Sequence, residues 1–158
     1  MKSLAGKQVG ESGRLGRRVL VAAGVYNLVW GLFVILRPLA FFEWTRFEPL
    51  PNYPELWQCM GMVIGVYGIG YLIAASDPVR HWPIVLVGLL GKIFGPIGFV
   101  WTAAGGKLPW SFGVMLLTND LIWWAPFGII LHQAWIHHRE SAECQRLQPP
   151  RRGQVSAV

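Results

Sequence analysis

Four long apolar runs constrain this chain more than any other feature. They are Val19–Leu36, Leu56–Ala75, Trp82–Ala104 and Ser111–Leu131, of 18, 20, 23 and 21 residues. A spanning helix needs roughly 20 mostly apolar residues to cross about 30 Å of hydrocarbon. The runs fill just over half the chain, and the segments between them are too short to form a second domain. Only 14% of the 158 residues are charged and mean hydropathy is +0.40. Soluble domains carry about a quarter charged residues. The expected fold class is an all-α membrane protein, a four-transmembrane-helix antiparallel bundle with helices at about 19–36, 56–75, 82–104 and 111–131.

The formal charge of +6 does not point to nucleic acid, because the basic residues gather at the ends of the apolar runs. Lys2, Lys7, Arg14, Arg17, Arg18, Arg80, Arg139, Arg146, Arg151 and Arg152 fall on one side, ten in all. Arg37, Arg46 and Lys107 fall on the other, and Lys92 lies inside a run. This bias places both termini in the cytoplasm of a bacterial-type inner membrane. Residues 1–18 then form a basic cytoplasmic tail without fixed structure. Residues 19–131 form the membrane domain, and residues 132–158 form a cytoplasmic helix extension and a disordered tail. The first run is too long for a signal peptide and closes on Arg37-Pro38 with no clear cleavage site. Arg17-Arg18 fits a positive-inside anchor better than a twin-arginine export signal.

The longest connection, Leu39–Glu55, mixes Phe41, Phe42, Trp44 and Phe47 with charges and with Pro49, Pro51 and Pro54. It reads as a segment lying on the outer membrane surface or as an ordinary loop carrying interfacial aromatics. Ser76–His81 and Gly105–Trp110 are short, which makes helices two, three and four sequential antiparallel neighbours. Trp57, Trp82, Trp101, Trp110 and Trp135 sit near run ends as interface anchors. Gly61, Gly65 and Gly68 share a face of the second run, and Gly88, Gly91, Gly95 and Gly98 share one of the third. Ridges of small residues let helix backbones approach closely in lipid, so both predict tight packing. Pro96 and Pro126 free the carbonyls of Lys92 and Ile122, four residues upstream of each.

Each run places a polar group near its centre: Asn27, Tyr67, Lys92, and Asn119 with Asp120. A charge at the bilayer centre costs roughly 2.5–3.5 kcal/mol on insertion scales. A Lys92–Asp120 pair would reduce that cost, with Asn119 and Asn27 meeting leftover donors and acceptors. Gly88 and Gly95 would leave room beside Lys92, and Trp123 and Trp124 would wall the site. The cluster is either interhelical glue, as polar side chains in membranes often are, or a ligand, proton or ion site.

Other chemistry finds little support. Cys59 and Cys144 fall on opposite sides of the membrane and cannot pair within one chain. No CxxC or Cys/His metal spacing occurs. His81, His132, His137 and His138 lie on the cytoplasmic side in no strong ligand pattern, and no histidine lies inside a run to ligate haem. There is no nucleophile motif, phosphate loop or paired carboxylate, so no cofactor and no metal are expected.

The Gly-rich first helix closing on Arg37-Pro38, the stretch Gly61-Met62-Val63-Ile64-Gly65-Val66-Tyr67-Gly68 and the short connections resemble the DoxX-like group of small four-helix bacterial membrane proteins. The resemblance covers Val19–Leu131 and implies a partner of a respiratory or redox enzyme; it transfers no catalytic residue. Asn119-Asp120-Leu121-Ile122-Trp123-Trp124-Ala125-Pro126-Phe127 departs from that group's pattern. The expected protein is non-enzymatic: an accessory subunit, or a binder of a small or lipid-like ligand at the midplane cluster. The bilayer is its first partner, with a membrane protein or a second copy as further candidates. The alternatives are a proton-linked small-solute transporter working as an oligomer, with Asp120 titrating, and a membrane enzyme acting on a lipid or quinone.

Overall fold

The computed structural model describes the backbone of residues 2–147 and the side chains of residues 13–147. The tail expected to be disordered, 148–158, lies outside the described residues. Among the described residues all regular structure is helical. Four helices are long and apolar enough to cross a membrane: Gly13–Leu36, Pro54–Ala74, Trp82–Ala104 and Trp110–Leu147, here spans one to four.

Their ends follow local chemistry. Span one stops before Pro38, which cannot continue a helix. Spans two and three each carry proline in the first turn, where its missing N–H costs nothing. One departure from the sequence reading concerns length. The first helix does not begin at Val19; its backbone is helical from Lys2 to Leu36 over 35 residues. No proline interrupts that stretch, and its glycines weaken a helix by only about 1 kcal/mol each. Span four continues past Leu131 as a helical extension to Leu147, with exposed residues from Trp135 onward and the Arg139 guanidinium 4.0 Å from the Trp135 ring centroid.

Spans one and two form the most extensive helix pair, spans three and four the next, while spans two and three touch sparingly. The reason for the first pair lies in four glycines. A Cβ added at Gly24 would meet the Gly68 carbonyl at 2.9 Å, and one at Gly68 would meet the Gly24 carbonyl at 2.8 Å. Gly31 and Gly61 oppose each other in the same reciprocal way, at 2.5 and 2.9 Å. Only residues without a Cβ allow backbones this close. The ridge on span three behaves differently, contrary to the expectation of tight packing. A Cβ at Gly91 or Gly98 would meet nothing within 4 Å, and one at Gly95 would meet only the Asp120 carboxylate, at 3.7 Å. Gly88 makes room for the Tyr71 ring rather than for another backbone.

Two apolar clusters hold the spans together. At one end Leu20, Ala23, Tyr71, Val85, Trp123, Phe127 and Ile130 pack around the starts of spans one and three and the ends of spans two and four. At the other, Phe41, Phe42, Phe99, Ala103 and Phe112 form a ring cluster with Trp57 and Phe47 at its edge. Phe112 is its hub, with ring centroids 5.2 Å from Phe41, 5.6 Å from Phe42 and 6.0 Å from Trp57. The connection Leu39–Glu55 thus does not lie flat on a surface. It forms a short helix, Ala40–Trp44, that turns Phe41 and Phe42 inward and leaves Trp44 exposed. Two bonds tie it down: the Thr45 hydroxyl donates to the Phe41 carbonyl at 2.9 Å, and the Ser111 hydroxyl donates to the Thr45 carbonyl at 2.9 Å. Burial of two phenylalanine rings, at about 1.5–3 kcal/mol each, favours this inward turn over a surface position.

Candidate functional site

Between the two apolar clusters lies a polar layer. Asn27, Lys92 and Asp120 are 4, 5 and 6% exposed, and with Thr45 they are the buried polar side chains among the described residues. The feature that assembles them is a break in the helical register of span four. The span opens with a 3-10 turn, Trp110–Gly113, passes through one α-turn, and then widens into a π-turn over Leu117–Leu121 before resuming as an α-helix at Ile122. Single π-turns inside helices are uncommon and are frequent at functional sites. Here the wide register cannot persist beyond Leu121, because the donor its carbonyl would need is the backbone nitrogen of Pro126, which carries no hydrogen. Asn119 and Asp120 sit on this turn.

The Lys92 ammonium donates a short hydrogen bond to the backbone carbonyl of Asn119. The direct Lys92–Asp120 ion pair expected from the sequence is therefore replaced by a relay: Lys92 bonds the Asn119 main chain, and the Asn119 side-chain amide donates to Asp120 Oδ1 at 3.2 Å. The physical reason is the π-turn, which turns the Asn119 carbonyl toward span three and supplies the ammonium with an acceptor nearer than the carboxylate. The charges remain neighbours in one desolvated layer, where their attraction is screened far less than in water.

Trp123 and Trp124 do not wall the site in the way their spacing suggested; they brace it from behind. The Trp124 indole donates to the Lys92 carbonyl at 3.0 Å. That carbonyl is the one Pro96 leaves without its helical partner, so the two sequence features answer each other across spans three and four. The Trp123 indole donates to the Thr118 carbonyl at 3.0 Å, and its ring lies 5.9 Å from Lys92 Nζ, within range of a cation–π interaction. Tyr26 of span one completes this side by donating to the Thr118 hydroxyl at 3.0 Å.

On its other side the polar layer faces a cavity of about 400 Å³, lined mainly by spans two and three together with the first half of span four. Asn27, Tyr67, Lys92, Asn119 and Asp120 line it, so the structure brings together every polar residue that the sequence singled out. The glycine stripe Gly88, Gly91, Gly95 and Gly98 forms one wall, and Trp57, Phe99 and Phe112 close it toward the aromatic cluster. Met60 and Val63, exposed on the outer face of span two, mark its rim. Sequence reasoning missed Tyr71, Trp57 and Phe112 as lining residues. Gly88, four residues from Lys92, was the available signal for Tyr71, since its missing side chain is what admits the ring.

The polar groups of this layer are only partly satisfied. Asn27 donates to the Ile64 carbonyl at 3.4 Å, a long bond, and its Oδ1 is buried with no partner. Asn119 Oδ1 is likewise buried and unpaired, as is the Trp57 indole N–H at the far end of the cavity. Trp30 Nε1 is also unpaired but lies outside the lining. An unmet buried polar group costs about 1–3 kcal/mol. Among the described residues no cluster of His, Cys, Asp and Glu could hold a metal ion, and Cys59 and Cys144 are free thiols. No protein-family model, curated protein or solved structure matches the chain.

Proposed function

We propose that this multi-pass membrane protein binds a lipid-like molecule in the cavity between spans two and three. The observation that carries this reading is an apolar-walled cavity of about 400 Å³ lined at one depth by Asn27, Tyr67, Lys92, Asn119 and Asp120. Structural glue would pair its own polar atoms, and the amide oxygens of Asn27 and Asn119 are unpaired. The volume falls within the range of small-molecule sites, which are mostly apolar with a few placed polar groups. The exposed rim at Met60 and Val63 suits entry sideways from lipid.

The same reading takes the bundle as antiparallel with both termini cytoplasmic, in an inner membrane. The reciprocal contacts of Gly24 with Gly68 and of Gly31 with Gly61 support opposed directions for spans one and two, and the distribution of basic residues supports the orientation. Whether the protein acts alone or as an accessory subunit follows from what it binds.

The test is native mass spectrometry of the protein released from lipid nanodiscs, comparing it with Gly91→Leu. That side chain would grow into open space inside the cavity without meeting another backbone. Retained lipid on the native protein and its loss from the variant is the expected result; the same lipid complement on both would overturn the reading.

A further inference from the structure

Span one begins with its charge on one face. Arg14, Arg17, Arg18 and Val21 follow one another at i, i+3, i+4 and i+7, which sets them on a single side of the helix. All four are exposed. The opposite side of the same turns is packed. Leu20 and Ala23 are wholly buried there, and a Cβ at Gly16 would meet the Ile130 side chain at 3.3 Å. The arginine face is therefore the one turned away from the bundle. An open hollow of about 410 Å³ runs along it, lined by Arg14, Arg17, Arg18, Val21 and Ala22.

Below the arginines the same face is apolar and exposed, continuing from Val21 through Val25, Val29 and Leu32. Val21 to Leu32 spans about 16 Å at 1.5 Å per residue, close to half of the roughly 30 Å hydrocarbon core of a bilayer. Cations thus stand directly above one leaflet's length of apolar surface. The backbone is helical from Lys2 to Leu36, so regular structure fixes the spacing of the arginines. From Gly13 to Leu36 the span holds no acidic residue, and even with Glu11 counted the stretch 11–18 keeps an excess of positive charge. A guanidinium presents a rigid fork of donors that matches the oxygens of a phosphate.

We infer that this face of span one holds an anionic phospholipid, its phosphodiester between Arg17 and Arg18 and an acyl chain along Val21, Val25 and Val29. The site is separate from the cavity between spans two and three, and requires only that span one crosses the membrane. Net charge decides the class. A zwitterionic head carries the same phosphodiester but brings its own cation, which competes with the arginines for it. Arg14 has an interaction of its own within the chain, so the tests fall on Arg17 and Arg18.

The experiment takes the full chain in detergent micelles and offers phosphatidylglycerol or phosphatidylcholine with identical acyl chains, bound lipid being counted by native mass spectrometry. Phosphatidylglycerol should be preferred. Arg17→Gln and Arg18→Gln should each lower that preference about fivefold, and the double variant about twenty-five-fold. Glutamine matches arginine as a helix former, so the helix is kept. Arg146→Gln, the same loss of charge on the exposed extension of span four, should change nothing. Inorganic phosphate in large excess should leave the lipid in place. The same series with Gly91→Leu, which fills the cavity, should show the same dependence on the two arginines, so this outcome is read independently of whether the cavity holds a ligand.

Equal binding of the two lipids would overturn the anionic class. A preference that survives both arginine variants, or that falls as much in Arg146→Gln, would overturn the site in favour of diffuse attraction by net charge. Displacement by inorganic phosphate would overturn the lipid assignment.

Discussion

Replacing Gly31 by alanine would set a methyl carbon 2.5 Å from the Gly61 carbonyl oxygen and 3.0 Å from the Gly65 nitrogen. Ordinary contact begins near 3.4 Å, and the obstacles are backbone atoms that no rotamer change can move aside. Spans one and two must therefore separate along their closest approach. Overpacking of this kind costs about 1–3 kcal/mol. Alanine returns up to about 1 kcal/mol of helix propensity, so the net loss expected for Gly31→Ala is about 0–3 kcal/mol. Gly91→Ala is the matched control: the same change, at a glycine that also sits on a helix face carrying other glycines, meets nothing within 4 Å. It should be neutral or stabilise by up to about 1 kcal/mol. Equilibrium unfolding in mixed micelles, titrated with a denaturing detergent, would measure both. The decisive quantity is the difference, about 1–3 kcal/mol in favour of Gly91→Ala. If the two variants unfold together, the distinction drawn between a ridge that packs and a ridge that lines a cavity is wrong.

Three further outcomes are expected. Lys92→Met or Asp120→Leu alone leaves one buried charge uncompensated and should cost roughly 3–5 kcal/mol, while the double variant should recover much of that loss; strictly additive losses in a double-mutant cycle would show that the charges do not share a layer. Trp124→Phe removes the donor to the Lys92 carbonyl beside Pro96 and should destabilise by about 1–3 kcal/mol, an effect that should vanish when Pro96→Ala restores a backbone donor to that carbonyl. In a Cys59→Ser background, Cys144, exposed on the helical extension of span four, should react with a membrane-impermeant maleimide only after cells are permeabilised; labelling of that variant in intact spheroplasts would reverse the orientation argued from the basic residues.

Four membrane-length helices, and the concentration of polar groups near mid-length, could be read directly from the chain. Both are properties of order along one dimension: an apolar run either is or is not long enough to cross hydrocarbon, and Asn27, Lys92 and Asp120 fall near the centres of their runs wherever the helices pack. Which glycines touch a helix and which line a space could not be read that way. Gly24, Gly31, Gly61 and Gly68 and the stripe from Gly88 to Gly98 carry the same signal of small residues at helical spacing, and only the neighbours present across each face decide between contact and cavity. The inward turn of Phe41 and Phe42 belongs to the same class, since their partner Phe112 lies some seventy residues away in sequence. The π-turn was hidden for a further reason. An extra residue in one turn rotates everything beyond it by about 100° relative to a straight helix. That rotation carries Trp123 and Trp124 behind the polar layer instead of into the cavity, and gives Lys92 the Asn119 carbonyl in place of the Asp120 carboxylate. Composition and spacing along the chain determined which residues meet at that depth; the packing of span three against a broken span four decided how they bond, and which of their polar atoms remain without a partner.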